Sequence, residues 1–264
     1  VFDAKDEFIW RMWRLFLPRV VGTSVTQINL IFDTLVASLL PLGSITVLNY
    51  AVNLSSLPLG LIGVSFAVAS FATLSQIGAD TLGAKDPFSK EEKSAQFAAE
   101  LRKVIRSVCY FLFPMVVGLF VLRYEVVDVI LRSGEFSSEA AVKTAGVFGV
   151  MLIGVIGQSL LPLFSRAFYA LHNTVIPVVV SVSAVVINLG LNFYLGINLG
   201  YGVYGIAVAS AFSTLLGMIV LMLLLRSKYL KTYAFIPWGH IGVVIVSALI
   251  MGVAVWFFKQ MLFD

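Results

Sequence analysis

About seven mostly apolar stretches, each long enough to cross a bilayer as a helix, run through this chain at 15–40, 46–77, 104–122, 144–166, 175–196, 203–225 and 240–258. A hydrocarbon core about 30 Å thick takes about 20 helical residues to span, and a helix keeps its backbone hydrogen bonds internal there. The charge content agrees. Asp, Glu, Lys and Arg make up 12% of 264 residues and hydrophobic residues 59%, whereas a water-facing domain is roughly 25% charged. The fold class is therefore all-α, a polytopic membrane helical bundle of about seven transmembrane helices.

Several chemistries drop out at this point. The single cysteine, Cys109, excludes an internal disulfide framework and a Cys-rich metal site. His172 and His240 lie far apart with no ligand spacing around them, and no nucleophile–base pair or metal motif is present, so no enzyme and no metal site is expected. A net charge of +4 in a membrane protein is a question of which loops hold the cations, and no nucleic-acid partner is expected. The first residue is Val, and no signal-peptide pattern precedes the first span, so the chain is expected to begin inside a longer product.

Cation placement gives an orientation. Lys5, Arg11, Arg14, Arg19, Lys85, Lys90, Lys93, Arg102, Lys103, Arg106, Arg166, Arg226, Lys228 and Lys231 fall on one side of the spans. Only Arg123, Arg132, Lys143 and Lys259 fall on the other. Fourteen against four of the eighteen cations makes the first side cytoplasmic. The N-terminus is then inside and the C-terminus outside. Trp10 and Trp13 beside Arg11 and Arg14 form an interfacial anchor, Pro41–Ser44 a tight turn, and Ser89 with Glu92 a capping box with Ser89 as N-cap. Ser137 followed by Glu139 marks a capped helix entry, and Pro18, Pro58, Pro114, Pro162 and Pro177 mark kinks in or at the mouths of spans.

Polar residues inside the spans are the candidate functional groups. Asp33 is the one clear carboxylate deep in a span; an ionised group there costs at least ~2.5 kcal/mol and faces a cavity or a partner. It reads as a cation or proton site, or as a protonated acid bonded to a neighbouring helix. Asn188 and Asn192 share a helix face. With Asp33 they supply hard oxygen ligands suited to Na⁺, or else they are interhelical amide bonds worth about 1 kcal/mol each. Asn49, Asn53 and Ser56 form a polar stripe that lines either a hydrophilic cavity or a helix contact. Gln27, Asn29 and Gln158 are weaker candidates, Gln27 placed with the cavity set.

The chain resembles the MurJ/MviN family of lipid II flippases, within the multidrug/oligosaccharidyl-lipid/polysaccharide exporter superfamily. The matching residues are Leu17-Pro18, Ser24 through Leu30, Asp33-Thr34 and Ala37-Ser38; Gly43-Ser44, Leu48 through Ala51, Leu57 through Gly60 and Gly63-Val64; Thr73 through Ser75; Arg132 through Phe136; and Arg166 through Leu171 with Asn173-Thr174 and Pro177. The resemblance implies the C-terminal lobe of a two-lobe exporter, starting at the family's seventh helix, with the six-helix N-terminal lobe as an absent partner. It divides the chain into an interfacial segment 1–14, a six-helix lobe 15–225, and a cytoplasmic linker plus one further transmembrane helix 226–264.

It further implies a lipid-linked substrate, contact with membrane lipids, alternating access in the bacterial cytoplasmic (inner) membrane and no cofactor, with Na⁺ the coupling-ion candidate. The family's carboxylate in helix seven falls on Asp33, and its Asn/Asp pair in helix eleven on Asn188 and Asn192. The family's Tyr-Ala-Asp-Arg in helix eight is replaced by Tyr50-Ala51-Val52-Asn53, so two charges are lost. Its proline near the end of that helix is Ala72, and His172 and Val175 stand where small and basic residues are common. Two other readings stay open: a flippase for another undecaprenyl-linked oligosaccharide or polysaccharide, and a non-transporting membrane scaffold.

Overall fold

A computed structural model describes residues 27–83, 86–131 and 137–263. Trp10, Trp13, Pro18 and the 132–136 turn lie outside them. The described residues contain no strand. The first helix, α1, covers 27–38 and is the described part of the first apolar stretch. After it come α2 (Ser44–Pro58), a π-helical segment (Leu59–Val64), α3 (Ser65–Gly83), α4 (Pro87–Val121), α5 (Arg123–Leu131) and α6 (Ser138–Ala170). The chain ends with α7 (Val175–Leu191), a second π segment (Asn192–Asn198), α8 (Val203–Lys228) and α9 (Trp238–Phe263). Six helices among the described residues are long and apolar enough to cross a membrane, Ser44–Gly83 counting as one. This is a multi-pass membrane protein.

The spans outrun the bilayer. Ser44–Gly83 has 40 residues, about 60 Å at 1.5 Å per residue, twice a hydrocarbon core of about 30 Å. The surplus forms a polar end. There Lys93 pairs with Asp80 at 3.5 Å, Tyr233 Oη donates to the Glu91 carbonyl at 3.0 Å, and Asn173 Nδ2 donates to Tyr229 Oη at 3.0 Å. At the opposite end Lys259 pairs with Glu125 at 2.6 Å, and Arg123 lies 4.6 Å from the ring centres of both Phe120 and Tyr124. These contacts fasten α9 to α5 and the 229–237 loop to α4.

One capping assignment needs correcting. The N-cap of α4 is Asp86, not Ser89. Pro87 forces the preceding residue out of the helical region, and Asp86 sits at φ −91°, ψ 133°. Its carboxylate accepts the Ser89 N–H at 3.2 Å, so Ser89 is the third helical residue. Asp86→Ala should lower thermal stability by about 1 kcal/mol, measured on the purified protein, while Ser89→Ala should change it little. The cap at Ser137 is as expected: its hydroxyl accepts from the Ala140 N–H at 3.2 Å.

Helix α6 is the axis of the bundle. It touches α2, α3, α4, α5, α7 and α8, and two thirds of its most apolar window is buried. Small residues allow that density. A Cβ on Gly154 would stand 2.8 Å from Ala211 Cα, and one on Gly157 would stand 2.9 Å from Leu215 N. Lipid tails are as apolar as leucine, so close backbone packing rather than hydrophobicity holds such helices together.

The prolines act as the spacing suggests in one clear case. Pro58 lacks an N–H, and the ladder widens to a π turn immediately after it. Ser65 Oγ donates to the Gly60 carbonyl at 2.9 Å, bonding a carbonyl at that irregularity. Pro114 and Pro162 lie within α4 and α6, and Pro177 is the third residue of α7.

Candidate functional site

The interior carboxylate organises a cluster drawn from three parts of the chain. Asp33 lies on the buried side of α1 with Val36 and Ala37. Asn192 Nδ2 donates to Asp33 Oδ1 at 2.6 Å, across 159 residues of sequence. Asn29, one turn earlier on α1, donates to Asp33 Oδ2 at 3.3 Å, and Ser210 Oγ of α8 donates to the same oxygen at 3.4 Å. Asn188 satisfies most partners with its nitrogen toward Asn29 Oδ1 at 2.9 Å and Asp33 Oδ1 at 3.1 Å, and its oxygen toward Ser210 Oγ at 3.2 Å. Asn188 is 2% exposed and Asn192 0%.

Local structure explains how these groups meet. Asn188 and Asn192 are one turn apart, and α7 gives way to the π segment at Asn192. Widened turns of this kind recur at functional sites because they re-aim side chains. Gly205 of α8 sits under that segment: a Cβ there would lie 2.6 Å from Leu195 C and 2.7 Å from Gly196 N. Any larger residue would push the π segment off α8.

The donor set is oxygen-rich and hard. One carboxylate, three amide oxygens and a hydroxyl suit a small cation such as Na⁺ better than a transition metal. Among the described residues no group of three or more His, Cys, Asp or Glu side chains could hold a metal. The Asn192 Oδ1 atom is buried and accepts no hydrogen bond among the described residues. Buried acceptors are ordinarily paired, so this oxygen is free to take a ligand.

Sequence spacing identified Asp33, Asn188 and Asn192, and the structure brings all three together. It adds Asn29, which sequence ranked lower, and Ser210, which it missed. Serines in membrane helices usually bond their own backbone, as Ser213 does to the Ala209 carbonyl at 2.7 Å. Nothing in the Ala209–Thr214 run marks Ser210 as different. Gln158, on α6, is not among the cluster's hydrogen-bonding partners.

The polar stripe of α2 is elsewhere. Asn49, Asn53 and Ser56 are exposed together with Thr46, whereas the opposite side of α2, Val47, Leu48, Ala51 and Leu54, is buried. Ser56 Oγ donates to the Asn53 carbonyl at 2.6 Å. The exposed stripe continues past the π turn through Ser65, Thr73 and Gln76. Gln27, the first described residue of α1, is also exposed. The exposed side of this helix is mixed, since Ile45, Leu57 and Leu61 are exposed beside the polar stripe.

A family model described as lipid II flippase MurJ matches residues 1–263. The chain belongs to the MurJ family. A probable lipid II flippase MurJ of Vibrio cholerae is 30% identical over 254 residues, 96% of this chain and 46% of the relative. One of Haemophilus influenzae is 28% identical over 258 residues, 96% of this chain and 48% of the relative. Among solved structures, a lipid II flippase MurJ in an inward closed conformation superposes with a TM-score of 0.76 at 24% identity, covering 97% of this chain and 50% of that one. An outward-facing MATE family transporter of the MOP superfamily gives a TM-score of 0.53 at 18% identity, covering 94% of this chain and 54% of that one. The chain spans about half the length of the curated MurJ relatives it matches.

Proposed function

We propose that this chain is the C-terminal half of a lipid II flippase of the bacterial inner membrane, working with a six-helix N-terminal half by alternating access. The supporting observation is the buried oxygen cluster around Asp33, which joins α1 to α7 and α8 with no cationic side chain among its hydrogen-bonding partners. A cation bound there would neutralise Asp33 and hold α1 against the rest of the lobe. Its release would leave α1 tied by amide and hydroxyl hydrogen bonds alone. α1 could then move, shifting the equilibrium between inward- and outward-open states by the cation's differential affinity for them.

The exposed polar stripe of α2 is the second element of the proposal. Thr46, Asn49, Asn53 and Ser56 would stand in a water-filled gap opposite the partner lobe, where amides can bond a diphosphate or sugar headgroup while the lipid tail stays in the bilayer. Asn53 occupies the position where the family carries arginine, so this lobe would contact the headgroup without neutralising it. Headgroup charge is then met by the partner lobe. No covalent step is required. The membrane potential contributes about 2.3 kcal/mol per charge moved through 100 mV. The cation distribution supports a cytoplasmic location for the end of the bundle that holds Asp86 and the 229–237 loop.

The gap assignment has a direct test. Asn53→Cys should react with a membrane-impermeant thiol reagent in the complete two-lobe protein, while Ala51→Cys, on the buried side of α2, should be protected at least about tenfold. Equal protection of both would place α2 against lipid or protein. Rescue of a flippase-depleted strain by the full-length gene tests the cargo.

A further inference from the structure

A cavity lies at the opposite end of the lobe from Asp86 and the 229–237 loop, between the 39–44 turn, the 199–202 turn and α6. Its volume is about 380 Å³, and Ser44, Lys143, Gly202 and Val203 are among its lining residues. Four features of it point to one kind of ligand. Lys143 is the only cationic side chain in the lining, and no carboxylate pairs with it among the described residues. Ser44 is 3% exposed, and its hydroxyl has no hydrogen-bond partner among the described residues. Two helices, α2 and α8, start at the cavity, since Ser44 and Val203 are their first residues. Both are preceded by glycines at positive φ, Gly43 at 87° and Gly202 at 58°, which supply no side-chain cap.

The Ser44 N–H donates to the Pro41 carbonyl at 3.1 Å and the Gly205 N–H to the Gly202 carbonyl at 3.0 Å, which leaves the Ile45, Thr46, Val203 and Tyr204 N–H groups without a backbone acceptor among the described residues, and the helix dipoles add positive potential at the same point. A lysine, a free hydroxyl and two uncapped N-termini form an anion site, with donors suited to phosphate oxygens. The rim has a different chemistry. Leu39, Ile197 and Tyr201 are exposed around the mouth and would meet acyl chains. One fixed positive charge matches a phosphodiester, which carries a single negative charge, better than inorganic phosphate, which carries nearly two at neutral pH.

We propose that this cavity binds the phosphate of an anionic phospholipid, with Lys143, the Ser44 hydroxyl and the unpaired first-turn N–H groups of α2 and α8 as its ligands. The site is separate from the Asp33 cluster and does not depend on what the protein transports.

The test uses the full chain in phosphatidylcholine nanodiscs to which phosphatidylglycerol is added stepwise. Lipid retained after detergent extraction is counted by native mass spectrometry. The wild type should retain one phosphatidylglycerol in preference to phosphatidylcholine. Lys143→Met should weaken that preference about tenfold and Ser44→Ala should weaken it severalfold, while Lys143→Arg should preserve it. Circular dichroism of each variant separates loss of the site from loss of the fold, and Lys143→Gln replaces any Lys143→Met sample that does not fold. Equal retention by wild type and the neutral Lys143 variant would overturn the proposal. Displacement of the lipid by millimolar inorganic phosphate would overturn the lipid assignment in favour of a free anion. Because none of these variants touches Asp33, either failure leaves the cation reading standing.

Discussion

Replacing Asp33 with Ala should remove the Na⁺-dependent thermal stability that a cation site at this cluster would give. A ligand that binds only the folded state stabilises it by RT ln(1 + [L]/Kd), about 2.7 kcal/mol at one hundred times Kd. The wild type should therefore melt at a higher temperature in Na⁺ than in choline at equal ionic strength. Asp33→Ala should melt at the same temperature in both. The variant also loses stability in choline, because the Asn192 and Asn29 amides and the Ser210 hydroxyl lose their shared acceptor; a buried polar group left unpaired costs about 1–3 kcal/mol. Asp33→Asn narrows the difference, since it keeps the volume and one acceptor oxygen while removing the charge and turning the other oxygen into a donor. It should retain more of the stability in choline than Asp33→Ala and show no response to Na⁺. A Na⁺ response in Asp33→Asn equal to that of the wild type would remove Asp33 from the site.

The second large effect comes from a residue that binds nothing. Gly205→Val should destabilise the protein by at least about 1–3 kcal/mol, the usual range for overpacking, and should reduce the Na⁺ response as well. The atoms that its Cβ would meet are the backbone of Leu195 and Gly196, at 2.6–2.8 Å, and backbone cannot rotate away as a side chain does. The π segment must move off α8 and carry Asn192 with it. Gly190, on α7, is the contrast. No atom lies within 4 Å of a Cβ built there, so Gly190→Ala should be neutral or gain up to about 1 kcal/mol from helix propensity. Parallel melting curves with and without Na⁺ check both variants. A Gly205→Val protein with wild-type stability would show that α8 and the π segment do not pack as described.

How much of this was readable in advance follows from which interactions have a local signature. Span number, span order and the tight 39–44 turn follow from length and hydropathy, because the bilayer imposes both on any helix that crosses it. Asp33, Asn188 and Asn192 were legible because charged and amide groups are rare in such helices and the two asparagines share a face. The grouping of Asp33 with the pair across 159 residues came from their shared hard-oxygen chemistry and from the family resemblance rather than from spacing.

Other features had no such signature. Ser210 resembles Ser213 and Thr214 in sequence, and only packing against α1 and α7 distinguishes it. The π segments are invisible to a helical periodicity, although Pro58 marks the entrance to one of them. The cap of α4 was misread because a Ser-x-x-Glu pattern outweighed the Asp-Pro pair just before it, whereas the proline's steric restriction on Asp86 decides the start. The Lys143 cavity is built by turns distant in sequence, and a single lysine there looked like an ordinary loop cation.

The central claim is that cation binding at the Asp33 cluster drives a lobe that moves lipid-linked substrate. Lipid II translocation by the complete two-lobe protein in proteoliposomes, measured with and without an inward Na⁺ gradient for wild type and Asp33→Asn, tests it most directly. The account predicts fast translocation by the wild type in the gradient and background translocation by Asp33→Asn. Translocation by Asp33→Asn at the wild-type rate, with the same response to the gradient, would contradict it.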